Sequence, residues 1–188
     1  ANALDMHTIK PGMLGPRAAN VTEVLSLFDF DAIRKTGKPV VDYILGANPG
    51  GGVFAVGYHE NPYQSFMMEY YKMGPGPYYL FYRPYHLCHV ESIASIASPV
   101  INGCSLLEPT YGFRTNVFAY AKKTLLAGTE LDGIGGHCCY GQIENTINGK
   151  HPGLPLGLAE NVVITRNIKE GEPIMMSDID YPANREDF

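Results

Sequence analysis

Ala121-Lys-Lys-Thr-Leu-Leu-Ala-Gly-Thr-Glu-Leu131 and Ile164-Thr-Arg-Asn-Ile-Lys-Glu-Gly-Glu-Pro-Ile174 stand 43 residues apart and follow one pattern. A basic residue (Lys123, Arg166) precedes an apolar one by two positions (Leu125, Ile168). A glycine (Gly128, Gly171) and a second apolar residue (Leu131, Ile174) follow at the same spacing. Each copy fits a strand, a glycine turn and a second strand, because glycine takes a positive φ at low cost. Two copies are too few for a solenoid, which needs at least three stacked units. The pair therefore predicts a small β module built from two similar halves packed together.

Upstream of about Phe113 the pattern is mixed. Asn20-Val21-Thr22-Glu23 has the form of a helix start, and Val21, Val24, Leu25 and Phe28 continue it at helical spacing, predicting a helix near 21–29. Pro39–Leu45 and Val53–Tyr58 read as two strands joined by the turn Gly46-Ala-Asn-Pro-Gly-Gly-Gly52. Asn61-Pro62 supplies a cap and a first-turn proline for a helix reaching Met73-Gly74. Tyr78–Tyr82 is a further strand. Pro84 is read as opening a helix with a packed stripe of Leu87, Val90, Ile93, Ala94 and Ala97, which Pro99 ends. Most of the aromatic residues concentrated at 58–85 are expected in the core. The fold class is α+β: a mixed α/β domain over 1–110, then the β module over 111–188.

Composition narrows the function. A net charge of -5 leaves no Lys/Arg excess for neutralising phosphates, so nucleic acid is not an expected partner. No apolar run approaches the roughly 20 residues that cross a bilayer, and no basic n-region leads an apolar segment. The expected protein is soluble and cytoplasmic. Cys88, Cys104, Cys138 and Cys139 do not resemble a secreted disulfide framework, which fits a reducing cytosol. The chain begins at Ala1 without an initiator methionine, as a fragment or processed product does.

The densest chemical cluster is Arg83-Pro-Tyr85-His86-Leu-Cys88-His89-Val-Glu91. With a helix starting at Pro84, His86 and His89 share one face and Arg83 precedes the first turn. A guanidinium there clamps a carboxylate or phosphate, a histidine exchanges protons near neutral pH, and Tyr85 orients the substrate. The competing reading makes one histidine a helix-start residue satisfied by a carbonyl, with the tyrosines in the core. His86, His89 and Glu91 also suggest a divalent metal, without a third ligand at a defined spacing. In His137-Cys138-Cys139, strand alternation puts His137 and Cys139 on one side, and apolar packing of the thiols is favoured over ligation. Lys10 and Arg17 bring two cations to a glycine-rich segment, which either closes over an anionic substrate or is a solvated tail.

Ile168–Ile174 leading to Ser177-Asp178-Ile179 resembles the SAF domain, a β-clip module. Val40–Ala47, Gly74–Cys88, Ala127–Gly136 and Gly153–Leu158 together resemble the carboxy-terminal half of homoserine-dehydrogenase-like SAF oxidoreductases, of the deoxyxylulose-phosphate reductoisomerase-like family. The resemblance implies a Rossmann domain, a substrate domain and a SAF module, reducing or isomerising a small anionic substrate with NAD or NADP, in a homo-oligomer. It casts Arg83 as anion clamp and His86 as acid or base. The Rossmann fingerprint has no counterpart here: the glycines at 46–52 lead into a predicted strand, where no helix N-terminus faces a phosphate. Two rival readings stand beside this one, a non-catalytic SAF-type binding or assembly module and a metal-dependent enzyme using His86, His89 and Glu91.

Overall fold

The echo at 121–131 and 164–174 closes on itself. In a computed structural model, which describes residues 1–187, Leu125 and Ile168 exchange backbone hydrogen bonds at 2.8 and 2.9 Å. Gly128 N–H donates to the Ile164 carbonyl at 2.7 Å, and its counterpart Gly171 N–H donates to Ala121 at 2.9 Å. Ala121 N–H reaches Glu172 and Ile164 N–H reaches Thr129, again at equivalent positions. Each copy thus completes the other about a local two-fold axis, with both glycines at positive φ. Leu125, Leu131, Ile168 and Ile174 are all buried in one core with Leu154, Val162 and Ile164.

The chain divides into two compact units, residues 14–108 and residues 1–13 with those from Pro109 onward. In the earlier unit, Asn20 and Glu23 form the expected capping box: Thr22 N–H donates to the Asn20 side chain and Asn20 N–H to Glu23, both at 3.0 Å. The predicted helix over 21–29 divides. A 3-10 turn at Val21–Glu23 leads into α1 (Val24–Leu27), and Asp29 caps a separate α2 (Phe30–Lys35) by accepting from Ala32 N–H. Replacing Asn20 with Ala is expected to lower stability by about 1 kcal/mol, read as the shift in a urea midpoint; an unchanged midpoint would show that the cap contributes nothing.

β1 (Val53–Tyr58) pairs antiparallel with β2 (Tyr78–Arg83), in register from Val53 opposite Arg83 to Tyr58 opposite Tyr78. The intervening α3 (Pro62–Tyr70) starts as read, with Asn61 accepting from Tyr63 and Gln64 N–H and Pro62 in the first turn. Pro39–Leu45 is not a strand. It makes only isolated bridging, such as Leu45 with Arg17, and Asp42 turns its carboxylate onto the N–H groups of Leu14, Gly15 and Tyr43. Gly46–Gly52 is accordingly no hairpin turn; β1 takes its partner from beyond α3. Val21, Val24 and Phe28 form a small core with Phe54, Val56 and Leu80 packed on it. Most of the aromatic cluster lies outside that core: Tyr63, Phe66, Tyr70, Tyr82 and Tyr85 are exposed. Tyr79 is the buried exception, stacked on His59 at 4.6 Å, and its hydroxyl leaves room only for a glycine at Gly76.

α4 (Cys88–Asn102) begins four residues after Pro84, because the Leu87 carbonyl receives the first N–H groups, from Val90 and Glu91. It continues through Pro99, and Gly103, at φ 68°, closes it. The Ser98 hydroxyl donates to the Cys104 carbonyl at 2.8 Å just past that end. The stripe of Val90 and Ile93 is exposed, contrary to the packed face expected from its spacing.

In the later unit, β3 (Thr115–Ala121), β4 (Glu130–Asp132), β5 (Cys139–Asn145), β6 (Glu160–Ile164) and β7 (Ile179–Asp180) form a β3–β5 pair and a β4–β6–β7 sheet, all antiparallel. The N-terminal segment is laced to the β3–β5 pair. The Asn2 side chain accepts from Arg114 and Thr115 N–H, Thr8 and Asn145 exchange hydrogen bonds at 2.8 Å, and Gly12 N–H reaches the Ile143 carbonyl. Arg166 grips the buried Asp178 with two hydrogen bonds, at 2.6 and 2.8 Å, and Met175 N–H adds a third. The architecture is α+β, with helices beside small antiparallel sheets.

Candidate functional site

Arg83 ends β2 directly opposite Val53, so the chain entering β1 must pass beside it. Gly52 lies against the Arg83 carbonyl and Pro84 so closely that a side chain does not fit. This pins the glycine-rich loop to the arginine. Two neighbouring cavities result. One, of about 380 Å3, is lined by Asp42, Tyr43, Gly50, Gly51, Tyr82 and Arg83 among others; the second, of about 370 Å3, by Gly51, Gly52, Arg83, Tyr85, His86 and Glu91.

Glu91 organises the second cavity. Its Oε1 meets Arg83 Nη2 at 2.9 Å as an ion pair without an aligned hydrogen bond, and its Oε2 meets His86 Nδ1 at 3.0 Å. A carboxylate opposite Nδ1 favours the tautomer with the proton there, leaving Nε2 as the acceptor. Arg83 also lies over the Tyr85 ring, 5.4 Å from its centroid. The guanidinium keeps donors beyond the one turned to Glu91, so it can hold an anion while Glu91 fixes its direction. Proton transfer beside a bound anion is the chemistry this arrangement permits.

His86 and His89 do not share a helix face. His86 precedes α4, which is why its partner lies five positions on, while His89 lines neither cavity. Among the described residues no three His, Cys, Asp or Glu side chains are grouped to hold a metal ion, so the ligand cluster needed for a His86/His89/Glu91 metal centre is missing. Arg17 is exposed and pairs its backbone with Leu45, outside both cavities; Lys10 belongs to the other unit. Asp42, Tyr43 and Tyr82 had no site signature in the sequence: the β1–β2 register puts Tyr82 in the cavity wall, while Asp42 is held by the N–H groups of Leu14, Gly15 and Tyr43.

Cys138 and Cys139 are buried in the later unit's core, and burial pushes both thiols up, away from the thiolate that a metal or a nucleophile requires. His137 precedes β5, so the expected strand alternation across His137–Cys139 is absent. Instead this stretch wraps Asp132, whose carboxyl is pulled down to about 2 by the N–H groups of His137 and Cys138. A second polar cluster had no signature in the sequence: Tyr120 donates to Glu144 at 2.6 Å, with His151 Nε2 3.4 Å from the other carboxylate oxygen. Gly153 N–H occupies His151 Nδ1 at 3.0 Å and Phe118 stacks on the ring, which makes this a packed structural group.

The earlier unit's second cavity thus brings a guanidinium, an imidazole and a carboxylate together at one wall. Residues 1–92 match the family model of the oxidoreductase DRL catalytic domain, which marks that stretch as an oxidoreductase-type domain. No curated protein matches the chain. Among the described residues no helix is long and apolar enough to cross a membrane.

Proposed function

We propose that the chain is the substrate-binding portion, followed by a SAF-type module, of an NAD(P)H-dependent reductase or reductoisomerase, or a homoserine-dehydrogenase-like enzyme, acting on a small anionic substrate in the cytoplasm. The observation that carries this reading is Glu91 shared between Arg83 and His86 at the wall of one cavity. Arg83 binds the anion, His86 Nε2 exchanges a proton with the substrate oxygen, and Glu91 is the positioning residue for both. A nicotinamide supplies hydride in such reactions. Residues 46–52 do not fit its pyrophosphate, because they run into β1 and not into a helix, so the reading assigns the cofactor to a Rossmann-type domain outside this chain. The four free cysteines accord with a reducing compartment.

The test compares NADH and NADPH binding by this chain with binding by a version extended upstream, followed by turnover of the extended form. Binding and turnover by the extended form alone are expected. There, Arg83→Ala is expected to lower kcat/KM about tenfold to 100-fold, mostly through KM, the loss of one charge-assisted hydrogen bond. Unchanged kinetics would remove Arg83 from the site. Failure of the extended form to bind either nucleotide would favour the binding or assembly module.

A further inference from the structure

The acid–base arrangement at Glu91 leaves the first cavity without a task. One side of it is apolar: Ile44 and Phe54 pack on the small core of Val21, Val24 and Phe28, and Phe54 stands directly opposite Tyr82 across the β1–β2 ladder. Opposed residues of an antiparallel pair share a face, so the half-exposed Tyr82 extends the same wall. Tyr43 supplies another wall. Its ring is braced by Gly15, which lies so close to it that no side chain fits, and Asp42 ties Gly15 there by accepting its N–H at 3.0 Å. Asp42, the cavity's one acid, also accepts from Leu14 and Tyr43 N–H at 2.9 and 2.8 Å, so it is committed to the backbone. Among the described residues, no Ser, Thr, Asn, Gln, Lys or His side chain lines this cavity. Its charge gathers at one edge, where Gly51, Gly52 and Arg83 line both cavities.

We propose that the first cavity holds an apolar group of the substrate, which is therefore an anion with an apolar tail. The carboxylate or phosphate sits on Arg83, and an aromatic or branched aliphatic group lies against Tyr43, Ile44, Phe54 and Tyr82. This rests on Arg83 being the anion clamp of the proposed function. A volume of about 380 Å3 suits such a group, since small-molecule sites are mostly apolar with a few polar atoms that fix orientation. A polyhydroxylated tail is the poorer occupant. Each hydroxyl taken from water needs a new partner, and beyond Asp42 and Arg83 the side chains here offer only two tyrosine hydroxyls.

Titrations of the 188-residue chain with propionate, 3-phenylpropionate and D-gluconate, followed by proton–nitrogen NMR spectra, test this. Burial of the phenyl group is expected to make 3-phenylpropionate bind about tenfold to 100-fold more tightly than propionate. Gluconate, with its polar tail, gains less than about threefold. Tyr82→Ala and, separately, Tyr43→Ala are each expected to cut the phenylpropionate advantage severalfold; that ratio of two constants does not move through lost stability alone. Arg83→Ala weakens both carboxylates about tenfold. A ratio near one in the unsubstituted chain, gluconate binding as tightly as 3-phenylpropionate, or a ratio unchanged in both tyrosine variants would each overturn the proposal. Where propionate still depends on Arg83 in those outcomes, the anion clamp stands and only the apolar tail falls; an Arg83→Ala variant that binds every probe as before removes both.

Discussion

Asp178→Asn is expected to lower the stability of the later unit by about 2–3 kcal/mol at pH 7. Burial alone would raise the Asp178 carboxyl, but the Arg166 guanidinium and Met175 N–H outweigh it and hold the group below its ordinary value. Asparagine cannot receive the two-pronged guanidinium as a carboxylate does, and it sets an amide donor where acceptors are needed. The loss falls short of the ~3–5 kcal/mol of a fully buried pair because Arg166 is half-exposed and water takes over part of its solvation. The pH dependence has a definite sign. With the folded value below the unfolded one, the contribution is fully present above about pH 4 and disappears as pH falls through the folded value. Urea midpoints for the two proteins should thus lie far apart at neutral pH and approach each other in acid. Coincident midpoints at pH 7 would show that the pair is energetically silent.

His86→Gln, in the extended NAD(P)H-binding form, is expected to reduce kcat by about 10²- to 10⁴-fold, the usual contribution of a positioned proton-transfer group. Glutamine keeps a polar side chain beside Glu91 but cannot exchange a proton at the position of Nε2. The comparison that gives the result meaning is His89→Gln. His89 lies one helical position before Val90, lines neither cavity, and should leave kcat within about twofold, below the threshold of any acid–base role. Equal losses from the two variants would point to damage of α4, and the absence of loss from His86→Gln would remove it as the acid or base. Glu91→Gln should reproduce part of the defect and shift the pH profile, because it alters the tautomer and direction of the ring without touching substrate.

How much of this was readable beforehand follows from the range of the interactions involved. The capping box at Asn20 and Glu23 and the Asn61-Pro62 helix start were legible because a cap is a contact between residues two or three apart. The paired halves around Gly128 and Gly171 were legible because repetition exposes a pattern that one copy would hide. The partner of β1 was not. Gly46–Gly52 has the composition of a local turn, yet the strand that satisfies Val53–Tyr58 lies across α3, and aromatic strands advertise no preferred mate. Pro84 signalled a helix start that the backbone delays to Cys88, and that delay separates His86 from His89 and delivers His86 to Glu91. Periodicity identified the apolar side of α4, but spacing is silent on which side of a helix the rest of the chain covers.

The mutual clasp of residues 121–131 and 164–174 constrains how that part of the molecule can come apart. Gly128 is bonded to Ile164 as Gly171 is to Ala121, and Leu125 shares its pair of bonds with Ile168, so neither half owns the contacts that define it. Opening one half strips the other of its backbone partners and exposes Leu131 and Ile174 to water together. Such a structure has no stable half-open state, and its amide protons should be shielded to a common depth, as in a single cooperative folding unit.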